Sequence, residues 1–239
     1  MSRRVEHVMG MPIVAEIRDD GDHERALDAV FDWFRWVDDA FSTYKPDSAI
    51  SRINRGELAL ADAHSDVISI VGRCEELRAL TDGYFDARHS GALDPSGLVK
   101  GWAVDRAAAI LQGLGVASFA VNAGGDLRLR GDGWRVGIQH PTEPGAVAKV
   151  LEVSDTAVAT SGLYARGDHI VDPRTGETPR DVLSVTIVGS DLATADAYAT
   201  AAFAMGGRRA LHWTARLRGF EAMTILADGR VLTTPGFPA

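Results

Sequence analysis

The sequence has a single cysteine and no long apolar run, and both absences restrict the class of protein. Cys74 has no partner for an internal disulfide, so a disulfide-stapled scaffold is excluded and a reducing compartment fits best. The stretch of lowest polarity, residues 197–207, is far shorter than the ~20 residues that a membrane-spanning helix needs. Charged residues follow Arg3 and Arg4 too soon for the apolar segment of an export signal. We therefore expect a cytoplasmic protein without membrane insertion.

Basic residues are in deficit. The 25 Lys and Arg residues against 33 Asp and Glu residues give a formal net charge of -8. This balance argues against sequence-independent binding to nucleic acid, so nucleic acid is not an expected partner. Apolar residues make up 46% of the chain and no linker or repeat interrupts it, so we predict one globular domain over residues 1–239. Oligomeric state does not follow from these features.

Apolar spacing of three and four residues predicts helices at several places along the chain. After the first predicted helix, Lys45–Ser48 interrupts the period and predicts a loop. The last predicted helix is rich in alanine, and Gly206 and Gly207 are predicted to end it. The predicted helices are Asp22–Phe41, Ser65 to about Gly83, Lys100–Leu114 and Leu192–Met205.

Short apolar runs separated by Gly, Asp and Pro predict strands. The predicted strands are Pro12–Ile17, Phe119–Val121, Leu127–Leu129, Trp134–Ile138, Val147–Val153, Val182–Val188 and a terminal pair near Met223 and Val231. Most of these strands follow a group of helices and do not alternate with them. The fold class is therefore predicted as α+β, with a mostly antiparallel or mixed sheet flanked by helices.

Asp196 and Thr200 are four residues apart on the alanine-rich helix. Their carboxylate and hydroxyl therefore project from one face and could both reach a hard cation, for which oxygen ligands suggest Mg²⁺. The alternative is that Asp196 caps the helix or faces solvent and that Thr200 bonds back to its own helix. The small neighbouring residues weaken that alternative because they leave room for a ligand.

Two glycine-containing segments could approach an anionic ligand. Asp94–Gly101 places Lys100 just ahead of the third predicted helix, where a helix N-terminus could hold an anion, or it is an ordinary loop with a solvated lysine. Asn122–Asp126 could bring backbone amides to a phosphate, or it is simply a turn between two strands.

A third segment combines His169, Asp172 and Arg174 beside a Pro/Gly turn. These groups could transfer a proton, or the segment could be a turn with charged side chains at the surface. Tyr44, Tyr84 and Phe85 could stack on a planar ring or fill the core. Cys74 lies on an apolar helix face and is predicted as a core residue.

Seven motifs occur in a fixed order along most of the chain. Together they resemble the ApbE-like family of FAD:protein FMN transferases. The motifs are HVMGMP, FSTYKPDSAISRIN, TDGYFDA, DPSGLVKGWAVD, VNAGGDLRLRG, ATSGLYARGDHIVDPRTG and ADAYATAAFAMG.

The resemblance implies a site for FAD with Mg²⁺ at its pyrophosphate. By motif position, the metal ligands would be Asp196, Thr200 and a backbone carbonyl near Gly97. His169 would lie near the phosphates as the catalytic residue. The flavin-binding residues would be Met9, Tyr44, Tyr84, Phe85, Asp86, Asp94, Lys100 and Ile170.

The implied reaction cleaves FAD, transfers FMN to a Ser or Thr hydroxyl of an acceptor protein, and releases AMP. His169 or a neighbouring carboxylate would take the hydroxyl proton. Two alternatives share the site. Water could replace the acceptor, which would make the protein an FAD pyrophosphatase, or the chain could bind FAD without catalysis. The resemblance does not identify the acceptor protein.

Overall fold

An antiparallel sheet forms the frame of the molecule. The computed structural model describes residues 1–88, 91–162 and 170–239. The strands are β1 Ser2–Val8, β2 Met11–Ile17, β3 Phe119–Ala123, β4 Asp126–Arg130, β5 Trp134–Gln139, β6 Val147–Val153, β7 Ala157–Gly162, β8 Val182–Gly189, β9 Phe220–Leu226 and β10 Val231–Thr233. Eight of them form one sheet in the order β1-β2-β3-β4-β7-β8-β9-β10, and β5 pairs with β6 in a separate hairpin.

The α-helices cover one face of the sheet and the β5–β6 hairpin covers part of the other. The helices are α1 Glu24–Phe41, α2 Ala49–Asn54, α3 Ser65–Leu80, α4 Ser96–Gly113, α5 Leu192–Met205 and α6 Gly207–Thr214, with a short 3₁₀ turn at Leu60–Asp62. The predicted α+β class with a mostly antiparallel sheet is confirmed. No helix in the described parts of the chain is long and apolar enough to cross a membrane.

The two faces of the sheet bury different apolar clusters. On the helical side, Ile13 and Val121 pack with α1 residues such as Phe31 and Phe34 in the main core. On the other side, Trp134 and the rest of the buried face of the hairpin pack on β4, β7, β8 and β9. Alternate strand residues therefore serve two separate cores.

One predicted helix starts at a different residue and one helix was missed. Helix α4 begins at Ser96 rather than Lys100, so Lys100 lies inside the helix. The predicted loop at Lys45–Ser48 is confirmed, but helix α2, which follows it, was not predicted. The Ser48 hydroxyl caps this helix by accepting a hydrogen bond from the Ser51 amide.

Besides α2, three further elements were not predicted. Strand β1 carries charged residues along the sheet edge, which hides its strand period. Strand β7 is buried at five of its six positions and therefore lacks polar alternation. Helix α6 starts directly after Gly206, where a helix end was expected.

Candidate functional site

One large cavity collects the residues that the sequence singled out. Its volume is about 1520 Å³, and it lies against α4, α5 and the ends of β3, β4 and β7. All the predicted metal and flavin positions line it. These are Met9, Tyr44, Tyr84, Phe85, Asp86, Asp94, Gly97, Lys100, Ile170, Asp196 and Thr200. His169 lies outside the described residues.

A buried cluster of one lysine and two aspartates lies at the wall of this cavity. Lys100 Nζ forms an ion pair with Asp126 and lies 3.5 Å from Asp196 Oδ1. Asp126 is held from the far side because its Oδ1 accepts a hydrogen bond from the Thr160 amide at 3.0 Å. Both carboxylates are almost fully buried. Two carboxyl groups and one ammonium group therefore share a site with little solvent.

Asp196 retains an acceptor that the described residues do not use. Its Oδ1 faces Lys100, while its buried Oδ2 has no hydrogen-bond partner within the described residues. Burial raises the pKa of the Asp196 carboxyl, Lys100 opposes the rise, and Asp126 adds to it. A bound cation would favour the charged form of such a carboxyl.

Two hydroxyl groups also line the cavity that Asp196 lines. The Oγ1 of Thr200, one turn along α5, lies 3.4 Å from the Oγ of Ser161 on β7. Carboxylate and hydroxyl oxygens suit a hard cation such as Mg²⁺. No group of three or more His, Cys, Asp or Glu side chains with metal-binding geometry occurs among the residues that the structure describes. Hydroxyl, carbonyl and water oxygens would therefore have to complete the coordination.

A close helix crossing places Lys100 beside Asp196. A Cβ atom added at Gly101 would lie 2.5 Å from the Leu192 carbonyl oxygen, so only glycine lets α4 approach the start of α5 this closely. Asp105, one turn later, accepts hydrogen bonds of 2.8 Å from the amides of Leu192 and Ala193. The first turn of α5 is thus fixed by α4.

Arginines hold one of the predicted flavin residues, Tyr84, in place. Arg209 donates a 2.5 Å hydrogen bond to its phenol oxygen, and the guanidinium of Arg174 lies 4.6 Å from the centre of its ring. Arg174 also pairs with Asp82, so the loop after α3 is tied to the segment after residue 170. Tyr84 is buried at this wall of the cavity.

The other aromatic positions differ in their exposure. Phe85 is buried, with its ring edge 3.1 Å from the position of a Cβ at Gly97, and it packs in the main core. The Tyr44 side chain is 95% exposed at the cavity rim. Core filling therefore describes Phe85, whereas Tyr44 is available to a ligand.

Two of the segments with open readings contain turns, and their proposed contacts with a ligand stay predictions. Gly124 and Gly125 have φ values of +60° and +103° and connect β3 to β4, with Asn122 Oδ1 accepting from the Gly125 amide. Asp172 likewise accepts a hydrogen bond from the Arg174 amide within a turn. Cys74 is buried in the main core, as predicted.

Sequence reasoning missed Asp126 and Ser161 as site residues. Asp126 ends the NAGGD segment, which drew attention for its glycines and not for its acid. Its role depends on contact with Lys100 from a separate helix, which no local pattern shows. Ser161 belongs to the strand that was not predicted.

Comparison with solved structures identifies the fold as that of flavin transferases. The flavin transferase ApbE from Vibrio cholerae superposes with a TM-score of 0.87 at 23% identity, covering 99% of this chain and 97% of that one. The apo form of the Pseudomonas stutzeri flavinyl transferase ApbE gives a TM-score of 0.85 at 22% identity, with 99% and 95% covered.

The family assignment rests on the sequence. The ApbE family model matches residues 9–91 and 87–224, and the chain belongs to the ApbE family. A Vibrio cholerae protein named FAD:protein FMN transferase is 38% identical over 134 residues, which cover 50% of this chain and 40% of that protein. A Salmonella typhimurium protein of the same name is 28% identical over 186 residues, covering 72% and 51%. The chain thus spans about half or less of the length of these two relatives.

Proposed function

We propose that the protein is a Mg²⁺-dependent FAD:protein FMN transferase. It would cleave FAD and attach FMN through a phosphoester to a Ser or Thr hydroxyl of an acceptor protein, releasing AMP. The observation that carries the proposal is the buried Oδ2 of Asp196, which accepts no hydrogen bond from any described residue and lies at the wall of the large cavity, which Lys100 and Thr200 also line. Family membership and the names of the relatives support the same reaction.

The oxygen donors fit the proposed cation. Asp196 and Thr200 would hold Mg²⁺, with the Gly97 carbonyl as a further ligand. Mg²⁺ bound there would neutralise charge on the pyrophosphate oxygens of FAD. The cavity exceeds the ~300–1,000 Å³ typical of small-molecule pockets, which suits a ligand as large as a dinucleotide.

The protein groups would act by position and charge. Lys100 would balance negative charge on the phosphates, and Asp126 would fix its ammonium group. The acceptor hydroxyl oxygen would attack the FMN phosphorus, the pyrophosphate P–O bond would break, and AMP would leave. The hydroxyl proton would pass to His169 or to a neighbouring carboxylate. In phosphoryl transfer, positioning and charge neutralisation supply most of the catalysis.

The flavin positions would surround the rest of FAD. The residues proposed to contact the flavin all line the cavity. They are Met9, Tyr44, Tyr84, Phe85, Asp86, Asp94 and Ile170.

The cytoplasmic location and the single domain stay predictions. Cell fractionation would check the location, and limited proteolysis would check the domain organisation.

The test mixes the purified protein with FAD and an acceptor polypeptide, with and without Mg²⁺. Mass spectrometry should find FMN added to a Ser or Thr of the acceptor and an equal amount of AMP, only with Mg²⁺. Release of both FMN and AMP without a labelled acceptor would instead assign FAD pyrophosphatase activity. FAD that binds and stays intact would assign a non-catalytic flavin-binding protein.

A further inference from the structure

The cavity has a second lobe bordered by the edge of a β-strand. All six residues of β5, from Trp134 to Gln139, line the cavity. Their side chains alternate between buried and exposed, because successive residues of a strand point to opposite faces. A cavity that lay on one face of β5 would therefore contact only three of the six residues. The cavity therefore runs along the edge of β5. Among the described residues, β5 pairs only with β6, which lies along the edge of β5 opposite the cavity.

The floor of this lobe is the outer face of the main sheet. Glu16 pairs with Ala120, and Ala120 pairs with Leu129 in the next strand, so the three lie side by side on one face. All three line the cavity. Ala120 has a smaller side chain than Glu16 and Leu129 on either side of it, so the cavity is deepest above Ala120. We call this lobe, between the β5 edge and Ala120, the β5 trough.

An arginine closes the far end of the β5 trough. The Arg18 guanidinium lies 3.4 Å from the centre of the Trp134 ring, and its NH1 group donates to the Gly133 carbonyl at 3.3 Å. Arg18 also pairs with Glu16. The near end stays open to the Lys100 cluster over the Gly124–Gly125 turn, whose residues line the cavity too.

The length of the β5 trough suits a short extended peptide. Asp126 pairs with Ala123, three residues along β3 from Ala120. At ~3.3 Å per residue this separation is roughly 10 Å, which three or four residues of an extended chain would cover. A strand edge presents unpaired N–H and C=O groups, which bind extended peptides by adding a strand.

We propose that the β5 trough binds the acceptor polypeptide as an added strand along β5. The residues flanking the reactive Ser or Thr would pair with the backbone of β5, and the hydroxyl would reach the Lys100 cluster at the open end. This inference rests on the proposed function, since it names the binding surface for the second substrate of that reaction. Main-chain pairing would supply affinity with little demand on the acceptor's side chains.

The first test blocks the floor of the β5 trough. Ala120→Phe should raise the KM for the acceptor about tenfold or more, while the Kd for FAD stays that of the unchanged protein. Val150→Phe is the matched control, because Val150 is exposed on the same hairpin but does not line the cavity. Circular dichroism of Ala120→Phe, together with its unchanged Kd for FAD, would show that β3 is not disturbed.

The second test needs no variant and leaves the protein fold untouched. Acceptor peptides methylated at alternate backbone amides beside the reactive hydroxyl lose strand hydrogen bonds. One of the two alternating sets should raise the KM about tenfold, while the other set, facing away from β5, changes it little.

The outcomes separate the two proposals. If the unchanged protein transfers no FMN to any acceptor, the proposed function fails. If transfer proceeds and both the methylated peptides and Ala120→Phe keep the normal acceptor KM, the β5 trough is not the acceptor site. A tenfold effect in both tests, with FAD binding intact, would support it.

Discussion

At the scale of single residues, the site depends on one lysine that lies beside two aspartates. Asp126 and Asp196 share one lysine, and both carboxylates are buried. Burial disfavours the charged form of Asp196, and the neighbouring Asp126 adds to this effect. The divalent cation proposed beside Asp196 would favour its charged form.

Replacing Asp126 tests its role in holding Lys100. Asp126→Asn keeps the shape and an acceptor for the Thr160 amide but removes the charge that faces Lys100. We expect FMN transfer to fall about tenfold or more, because the ammonium group is no longer fixed toward the phosphates. FAD binding and circular dichroism would show that the fold persists. Asp132→Asn, at an exposed aspartate six residues on, should behave as the unchanged protein.

Cys74 provides a test of burial at one residue. Burial raises the pKa of its thiol to about 12, and the side chain is 2% exposed. At pH 8 only roughly one thiol in ten thousand is then ionised, and the thiolate is the reactive form. We expect no reaction with a disulfide reagent such as DTNB in the native protein and one equivalent after denaturation. Rapid stoichiometric labelling of the native protein would contradict the packing of α3.

At the scale of elements, the crossing of α4 and α5 positions the site. Gly101 lets the backbones meet, and Asp105 binds the first amides of α5. Lys100 and Asp196 are neighbours of these contacts in sequence. The same crossing therefore serves both the stability of the core and the geometry of the cluster.

Gly101→Ala should show this double role. Its Cβ would meet the Leu192 backbone, which cannot rotate away, so we expect a loss of about 1–3 kcal/mol in the free energy of unfolding and weaker transfer. Gly113→Ala at the end of the same helix is the control, since a Cβ there meets nothing within 4 Å. It should be neutral or stabilise by up to about 1 kcal/mol. Urea denaturation of both variants would measure the difference, and equal stabilities would contradict the close crossing.

Elements with a strong local signal could be predicted from the sequence. The apolar stripe of α1 and the alanine-rich α5 were found close to their observed bounds. Strand β7 could not be found in this way, because a strand buried on both faces has no polar alternation. Helix α2 has only six residues and depends on its Ser48 cap rather than on an apolar stripe.

The candidate site was predictable only in part, for a related reason. Asp196 and Thr200 share a helix face, so their spacing showed them together. Asp126 meets Lys100 only when the β3–β4 hairpin packs near α4, a contact between residues 26 positions apart. Such a contact depends on the topology of the sheet, which the order of elements did not determine.

At the scale of the whole molecule, the two faces of the sheet carry different parts of the structure. Its helical face carries the main core and the charged cluster, while its other face carries the β5–β6 hairpin and the β5 trough. The cavity joins these two sides around the ends of β3, β4 and β7. The proposed reaction transfers FMN from a dinucleotide to a polypeptide and needs room for both, which this arrangement supplies.

The most direct test of the central claim measures Mg²⁺-dependent FMN transfer by Asp196→Asn. Asn keeps the size of the side chain but removes the charge that would hold the cation, so transfer should fall by about two orders of magnitude or more. Asp228→Asn, at an exposed aspartate paired with Arg230, should retain full activity. Full Mg²⁺-dependent transfer by Asp196→Asn would contradict the assignment of Asp196 as a metal ligand and with it the proposed site.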